Sequence, residues 1–263
     1  MTSDTGRSGE PLAEVAAQGF GAGADAYERG RPGYPADVVD WLCEHVGIGP
    51  GRDVLDLAAG TGKLTRLLLR SGARLVAVEP VEEMRAQFRQ AVADVEIHDG
   101  TADAIPLADG SVDAVTVAQA FHWFDRPEVV VEIGRVLRPD GGLGLVFNER
   151  DVREPWVAEL SRLIRWDERQ RWRVPYTVET DWSARLIELG GPFAEVERYD
   201  TTYLQTLDPD TIVDRVLSTS YIARQDDEAK ARLAGQVRDL VAPLGPSFEL
   251  PYVTVAYATH RTG

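Results

Sequence analysis

The sequence has a single cysteine, no histidines at metal-ligand spacing and no long hydrophobic run. Its 263 residues include one cysteine, Cys43, which excludes a disulfide within the chain and a zinc site built on several thiolates. The four histidines show no paired metal-ligand spacing, and we predict no metal site. No run of about 18 apolar residues occurs, and the first thirty residues carry no apolar signal core. We therefore predict a soluble, cytoplasmic protein without a membrane partner.

Positive charge is also scarce. Lys and Arg number 28 against 43 Asp and Glu, which gives a formal net charge of −15. Nucleic acids and anionic membranes are bound through a cationic footprint, so neither is predicted as a partner. The one basic concentration in the sequence runs from Arg162 to Arg173 and contains Trp166 and Trp172. This pattern is typical of a solvated helix face; alternatively, some of its arginines receive an anionic substrate.

What the sequence does contain is a glycine-broken turn between a short apolar strand and a helix. Val54–Leu57 is a nearly continuous apolar run, typical of a strand that is covered on both faces. Gly60 and Gly62 then allow a sharp turn and the close approach of a ligand to the main chain. The helix is predicted to begin near Thr61 or Gly62, so that its unpaired N–H groups face the turn. The unit is typical of a nucleotide-binding turn.

Strands and helices alternate along the chain, which predicts an α/β fold with a doubly wound, mostly parallel, seven-stranded sheet. The predicted strands are the run at 54–57 and the segments 74–78, 95–98, 112–117, 143–147, 195–204 and 252–258. The last segment alternates between apolar and polar residues, and we expect it to form an antiparallel C-terminal edge strand. The break at Arg138–Gly142 is predicted to separate a helix at Pro127–Leu137, capped by Asp125 and Glu128, from the fifth strand.

The chain is predicted to form one domain. Residues 1–20 have the composition of a flexible tail, and residues 21–263 form the domain, with a core at about 35–150. A helical segment at about 208–246 separates the last two strands and is predicted to be a lid. The sequence leaves the oligomeric state open between monomer and homodimer.

In a doubly wound sheet the ligand binds beyond the carboxyl ends of the strands. Glu79 ends the second strand, at the distance from Gly62 where a carboxylate accepts both hydroxyls of a ribose. Such an acid occurs in NAD enzymes and in methyltransferases, so Glu79 indicates a ribose without separating the two. A dinucleotide fingerprint requires a third glycine where this sequence has Thr65, which disfavours NAD(P).

A succession of short motifs across residues 27–147 resembles the type 11 branch of class I S-adenosylmethionine (SAM) methyltransferases. The motifs are the glycine loop from Asp56 to Gly62, then Val78–Pro80, Gly100–Pro106, Ser111–Val115 and Leu137–Gly142. The segments Tyr27–Pro35 and Ala118–Phe124 are similar to a small-molecule subgroup that includes trans-aconitate methyltransferase-like proteins. Ala58 replaces the first glycine of the loop, and we expect it to have ordinary strand dihedrals.

The resemblance implies a Rossmann-like methyltransferase that transfers a methyl group from SAM to a small-molecule acceptor and releases S-adenosylhomocysteine. The cofactor-binding residues that it implies are Tyr27, Arg31, Tyr34, Asp56, Ala58, Gly60, Thr61, Gly62, Glu79, Pro80, Thr101, Ala102, Asp103, Ala118 and Gln119. Among them, Glu79 would hold the ribose, Ala102 and Asp103 would meet the adenine edge, and Arg31 would pair with the carboxylate of the methionine part.

His122 is the candidate catalytic base for a hydroxyl or amine acceptor, because it is the only histidine in a strand-end motif. The alternative is a packing histidine between Phe121 and Trp123. Two alternative functions also stay open at this point. One is an NAD(P)-dependent oxidoreductase on a similar sheet, and the other is a SAM-binding protein without turnover.

Overall fold

The computed structural model describes residues 30–166, 168 and 180–262 of the chain. The predicted tail, Tyr27 and the arginines of the basic stretch beyond residue 168 lie outside these residues. Within them, no helix has both the length and the apolar character needed to cross a membrane.

The described residues form one seven-stranded sheet in the order β3-β2-β1-β4-β5-β7-β6. The strands are β1 (Asp53–Leu57), β2 (Arg74–Val78), β3 (Glu96–His98), β4 (Val112–Ala118), β5 (Leu137–Arg150), β6 (Phe193–Leu207) and β7 (Phe248–Arg261). Strands β1 to β5 are parallel, and β7 is antiparallel to both of its neighbours. Because β1 lies between β2 and β4, the strand order reverses at β1, which confirms the doubly wound prediction.

The final strand differs in position from the prediction. It is antiparallel, as expected, but it lies between β5 and β6, and β6 forms the edge of the sheet. The two last strands pair along most of their length, from Phe193 opposite Arg261 to Leu207 opposite Phe248. The alternation in the sequence indicates a strand with one apolar and one polar face, but it does not determine which strands lie beside it.

The helices flank the sheet on both faces. They are α1 (Ala36–His45), α2 (Lys63–Leu68), α3 (Glu82–Ala91), α4 (Pro127–Val136), α5 (Pro155–Leu163), α6 (Trp182–Glu188), α7 (Pro209–Leu217), α8 (Ser220–Ala223) and α9 (Asp227–Val241). Helix α2 continues into a 3₁₀ turn that ends at Gly72, and α1 and α2 pack on one face of the sheet while α4 and α6 pack on the other. Alternate residues of β1 serve the two faces, since Val54 is buried with α1 and Leu55 with α4.

Two local predictions around α4 are wrong. The N-cap residue of α4 is Arg126, and its side chain makes no capping hydrogen bond. The carboxylate of Asp125, which was expected to cap the helix, accepts a hydrogen bond from Arg185 Nε at 2.9 Å. The predicted break at Arg138–Gly142 is an irregularity inside β5, whose pairing with β4 shifts register there. Gly142 serves close packing, because a Cβ at this position would lie 2.5 Å from the carbonyl oxygen of Val46.

The segment predicted as a lid forms α7, α8 and α9, between β6 and β7. These helices share a buried apolar cluster with α5 and with Tyr252 of β7, separate from the clusters on the two faces of the sheet. Helices α7 and α8 are separate, because Thr219 is extended before α8. We refer to α7, α8 and α9 below as the inserted helices.

Candidate active site

A cavity of about 380 Å³ lies at the carboxyl ends of β1, β2 and β4, beside the reversal of strand order. Cavities of this size and place are typical of small-molecule and nucleotide sites. The predicted residues on its wall are Arg31, Tyr34, Ala58, Gly60, Thr61, Glu79, Pro80, Thr101, Ala102, Asp103, Ala118 and Gln119. Three predicted residues are described but lie off the wall, namely Asp56, Gly62 and His122.

The loop after β1 has an unusual backbone. Ala58, Gly60 and Gly62 have φ values of 57°, 57° and 83°, all in the left-handed region. The expectation of strand dihedrals for Ala58 is therefore wrong. The chain turns immediately after Leu57, and the N–H of Ala59 donates to the carbonyl of Val78 at 3.1 Å, which fixes the turn against β2. An L-residue in this conformation costs about 1–2 kcal/mol.

The two glycines of the loop have different roles. A Cβ on Gly60 would meet no atom within 4 Å, and Gly60 lines the cavity. A Cβ on Gly62 would lie 2.8 Å from Val92 and 2.9 Å from Phe88, both of which are buried. Gly60 thus leaves space for a ligand, whereas Gly62 allows the loop to pack on the residues of α3 and its end. The assignment of Gly62 to the ligand is corrected accordingly.

Asp56 lies beneath the loop, in the core. It is 1% exposed and accepts hydrogen bonds from the hydroxyls of Thr65 on α2 and Thr116 on β4. Burial raises the pKa of Asp56 to about 6, against the lowering effect of the two threonines. Asp56 therefore ties β1, α2 and β4 together under the site, and its predicted contact with the cofactor is not supported by its position.

Glu79 is the buried carboxylate of the cavity wall. Its two oxygens accept hydrogen bonds from the N–H of Gly60 at 2.9 Å and the N–H of Val81 at 3.0 Å. Burial raises the pKa of Glu79 in spite of these donors. A carboxylate has about four acceptor positions, so two backbone donors leave capacity for the two hydroxyls of a ribose. Glu79 thus shapes the loop and can hold a ligand with the same group.

The segment after β3 supplies the exposed rim of the cavity. Thr101 Oγ1 donates to Asp103 at 2.6 Å, and Arg126 Nη2 donates to the other oxygen of Asp103 at 3.1 Å. The hydrogen bond from Thr101 and the charge of Arg126 hold the pKa of Asp103 below its ordinary value. Met84 and Val81 contribute the apolar surface beside this rim. The pairing of apolar side chains with a rim carboxylate suits a flat heterocycle with polar edges.

The opposite end of the cavity is held by Gln119, at the end of β4. Its side-chain amide donates to the carbonyl of Asn148 at 2.7 Å and accepts from the N–H of Asn148 at 2.9 Å. These bonds hold Gln119 at a φ of 56°, with its backbone along the cavity. Asn148 also donates to the carbonyl of Gly33 at 2.7 Å, which brings the segment of Arg31 and Tyr34 to the wall. Sequence reasoning missed Asn148, because its strand position carries no distinctive signal.

His122 does not reach the cavity. The residue is 8% exposed, and its ring centre lies 5.0 Å from that of Trp123 and 6.4 Å from that of Phe147. The short 3₁₀ turn Phe121–Trp123 directs Trp123 to the cavity wall instead. The geometry favours the packing interpretation of His122, and its role as a catalytic base stays a prediction.

Other wall residues were not predicted as site residues. They are Pro32, Leu57, Ala59, Lys63, Leu64, Val81, Met84, Gly100, Ala120, Trp123, Phe124 and Arg126. Most are chain neighbours of predicted residues, so the strand-end rule could have found them. Met84 and Arg126 come from the helix side of their loops, where periodicity indicates only a buried face or a surface charge.

The fold and the site together define a Rossmann-like protein with a place for an adenosine-containing ligand. Residues 55–145 match the family described as "Methyltransferase domain". An uncharacterized methyltransferase of Mycobacterium tuberculosis is 42% identical over 241 residues, which cover 90% of this chain and 93% of that protein. The chain belongs to this methyltransferase family.

Solved structures agree with that assignment. A putative type II methyltransferase from Anaeromyxobacter dehalogenans is 26% identical, with a TM-score of 0.63 over 88% of this chain and 97% of its own. Phosphoethanolamine N-methyltransferase 2 of Haemonchus contortus, solved with S-adenosylhomocysteine, shares the fold at 14% identity, with a TM-score of 0.59 over 97% of this chain and 61% of its own. The protein is thus a SAM-dependent methyltransferase, which excludes the NAD(P)-dependent oxidoreductase alternative.

Proposed function

We propose that the protein transfers the methyl group of SAM to a small-molecule acceptor in the cytoplasm. The observation that carries the proposal is the carboxylate of Glu79, fixed by the N–H groups of Gly60 and Val81 at the reversal of strand order. In the proposal this carboxylate accepts the ribose hydroxyls, and the open space beside Gly60, where a Cβ would meet no atom within 4 Å, supports an approach of the cofactor to the main chain.

The remaining wall residues suit the other parts of the cofactor. Ala102 and Asp103 would meet the adenine edge, with Pro80 and Met84 against its faces. Arg31 lines the cavity and would pair with the carboxylate of the methionine part in a fork geometry. When bound, SAM supplies a methyl group already activated by its sulfonium. The protein then has to align an acceptor with that methyl and exclude water, which contributes roughly 7–11 kcal/mol as effective molarity.

A small acceptor is supported by the surroundings of Trp123. This side chain lies on the cavity wall and also packs against the buried cluster of the inserted helices and α5. In the proposal, the acceptor binds in the part of the cavity beside Trp123, which the inserted helices and α5 separate from solvent. The net charge of −15 disfavours a nucleic-acid acceptor. His122 packs away from the wall, so the proposal assigns it no proton transfer.

Calorimetry with SAM, S-adenosylhomocysteine and NAD tests the cofactor part of the proposal. We expect the first two to bind and NAD to give no heat. A mass-spectrometric screen of pooled metabolites should then show a gain of one methyl group in a small molecule. Binding of NAD alone, or methylation only of protein or nucleic acid, would contradict the proposal.

The role of Glu79 is tested by Glu79→Gln, with Glu82→Gln as the matched control. The charged acceptor of the ribose hydroxyls is worth about 1.5–3 kcal/mol, so SAM affinity should fall about 10- to 100-fold in the first variant. Glu82 is exposed on α3 and pairs with Arg85 and Arg89, so its variant should bind SAM normally. Equal affinities in the two variants would remove Glu79 from the ribose.

A further inference from the structure

Two buried arginines lie on the acceptor side of the site. Arg150 is the last residue of β5 and ends at the same edge of the sheet as the cofactor cavity, because β5 is parallel to β4. Arg215 belongs to α7, in the inserted helices. Each is only 6% exposed. Neither belongs to the basic stretch that the sequence singled out.

Part of each guanidinium has no hydrogen-bond partner among the described residues. The atoms are Nε and Nη2 of Arg150 and Nε of Arg215, all of which are buried. No described carboxylate lies within ion-pair distance of either side chain. A guanidinium stays charged in proteins and offers five donors, and buried donors in native structures are almost always satisfied. Among the described residues, these two guanidinium groups are therefore buried donors that still require a partner.

Polar and aromatic groups surround the two arginines. The guanidinium carbon of Arg150 lies 4.5 Å from the ring centre of Trp166, and Tyr252 is opposite Arg150 in β7. Tyr252 Oη donates to Gln205 at 3.1 Å. Burial and the nearby charge of Arg215 both lower the pKa of Arg150. The two like charges repel each other, and the carboxylate of Glu149, which accepts a hydrogen bond from Trp166 Nε1, acts on Arg150 in the opposite direction without forming an ion pair with it.

This region adjoins the cofactor cavity through Gly30 and Trp123. A Cβ on Gly30 would lie 2.8 Å from the Cα of Arg215, and the next residue, Arg31, lines the cavity. On the other side, Trp123 lines the cavity and packs against the cluster that contains Tyr252 and touches Trp166. A molecule that reaches from the methyl group toward the inserted helices would therefore meet the two arginines.

We propose that Arg150 and Arg215 bind an anionic group of the methyl acceptor, so that the substrate is a small acid carrying a carboxylate or a phosphate. The proposal rests on the proposed function and names the substrate class of the same site. The planar fork of a guanidinium matches both anions in a bidentate geometry. An anion between the two arginines would satisfy the open donors and neutralise the repulsion. The net charge of −15 repels acids from the protein as a whole. The two arginines would supply the local positive charge that binds an acid in spite of this repulsion.

Anion binding is tested first without any acceptor. Thermal unfolding of the full chain is followed with succinate, with inorganic phosphate and with sodium chloride at matched ionic strength. We expect succinate or phosphate to raise the midpoint by at least about 3 °C over chloride. Arg150→Met and Arg215→Met should lose most of this shift. Arg238→Met, an exposed arginine of α9 that pairs with Asp210, is the control and should keep it.

Methyl transfer is tested next with acceptors in matched pairs: dicarboxylic acids with their monoamides, and phosphate monoesters with the free alcohols. The acid member should be preferred, and the arm with the larger preference identifies the anion. Arg150→Met and Arg215→Met should raise KM for it about 10- to 100-fold and leave SAM affinity within about twofold. Arg150→Lys keeps the positive charge but lacks the bidentate guanidinium, so its KM should lie between those of the natural protein and Arg150→Met. Such an intermediate KM would show that the effect of the methionine variants is not caused by misfolding.

The outcomes separate the two proposals. If SAM binds and is consumed with neutral acceptors, while neither methionine variant changes KM or the anion shift, the anionic acceptor is overturned and the proposed function stands. If SAM does not bind, the proposed function fails even where anions still raise the midpoint. Equal stabilisation by chloride and by succinate or phosphate would also count against the site.

Discussion

The buried polar groups on the two sides of the site differ in whether the chain itself supplies their hydrogen-bond partners. On the side of β1 and β2, the carboxylates of Asp56 and Glu79 are bound by hydroxyls and N–H groups of the chain itself. On the side of β5 and α7, Arg150 and Arg215 are also buried, but within the described part of the chain some of their donors have no partner. A closed network fixes the shape of a loop before any ligand arrives, whereas an open set of donors is completed by the ligand.

This contrast predicts different responses to mutation. Changes within the closed side should reduce stability, because each group already has its partners. Changes on the open side should reduce recognition and increase the stability of the ligand-free protein. The predictions that follow test this difference.

The largest expected effect is at Gly62. In Gly62→Ala, the strain of a left-handed alanine adds to overpacking against Phe88 and Val92, and the free energy of unfolding should fall by about 2–4 kcal/mol. Gly60→Ala shares the strain but meets no neighbour, so its loss should be about 1 kcal/mol. Its methyl group instead enters the cavity and should weaken SAM binding. Chemical denaturation and calorimetry measure both effects, and equal losses of stability would contradict the separate roles of the two glycines.

The next effect is a pH dependence caused by Asp56. Burial raises its pKa from 3.8 to about 6, so the folded protein holds an additional proton between about pH 4 and pH 6. Stability contributed by this group therefore falls as pH rises through that window, by about 3 kcal/mol in total. Asp56→Asn has no such titration. The difference in free energy of unfolding between Asp56→Asn and the natural protein should therefore shift by about 3 kcal/mol in favour of the variant from pH 4 to pH 7. A difference that does not change with pH would contradict a raised pKa of Asp56.

The closed side is also the part of the molecule that sequence reasoning predicts well. The turn after β1, the acid that ends β2 and the alternation of strands and helices are local patterns, so they predict the first five strands and half of the residues of the cavity wall. Gly62 and Asp56 were nevertheless assigned to the ligand. A motif shows which residues belong to the loop, but their burial depends on α3 and β4, which are distant in sequence.

The open side is not predictable in the same way. Arg150 and Arg215 are far apart along the chain and come near enough for their charges to interact only because α7 is inserted before β7. Charged residues are normally exposed, so nothing in the sequence marks these two as buried. The concentration of arginines that the sequence does show is the stretch Arg162–Arg173, which contains neither residue. The position of β7 inside the sheet is a similar case, since it depends on pairing between strands that are separated by the inserted helices.

The open side is tested directly by Arg150→Met. Replacing a buried charge by an apolar side chain of similar volume is often stabilising by about 1–4 kcal/mol, and we expect an increase in this range without ligand. Arg215→Met should behave alike, and the double variant should gain less than the sum, because the first change already removes the repulsion. Arg238→Met is exposed and should stay within about 0.5 kcal/mol of the natural protein. A loss of stability in Arg150→Met would mean that its guanidinium is satisfied without an anion.

The smallest expected effect is at Ala58, where the closed network holds an alanine in the left-handed region at a φ of 57°. Ala58→Gly removes this strain but makes the unfolded chain more flexible, so the net gain in stability should be at most about 1 kcal/mol. Ala59→Gly is the matched control, because Ala59 has no positive φ and its variant should only lose, by about 0.4–1 kcal/mol. SAM affinity should change little in Ala58→Gly, since Glu79 and the N–H of Gly60 keep the loop in the same shape. Opposite signs in the two variants would show that the network imposes the conformation on Ala58, and equal losses would show that no strain is stored there.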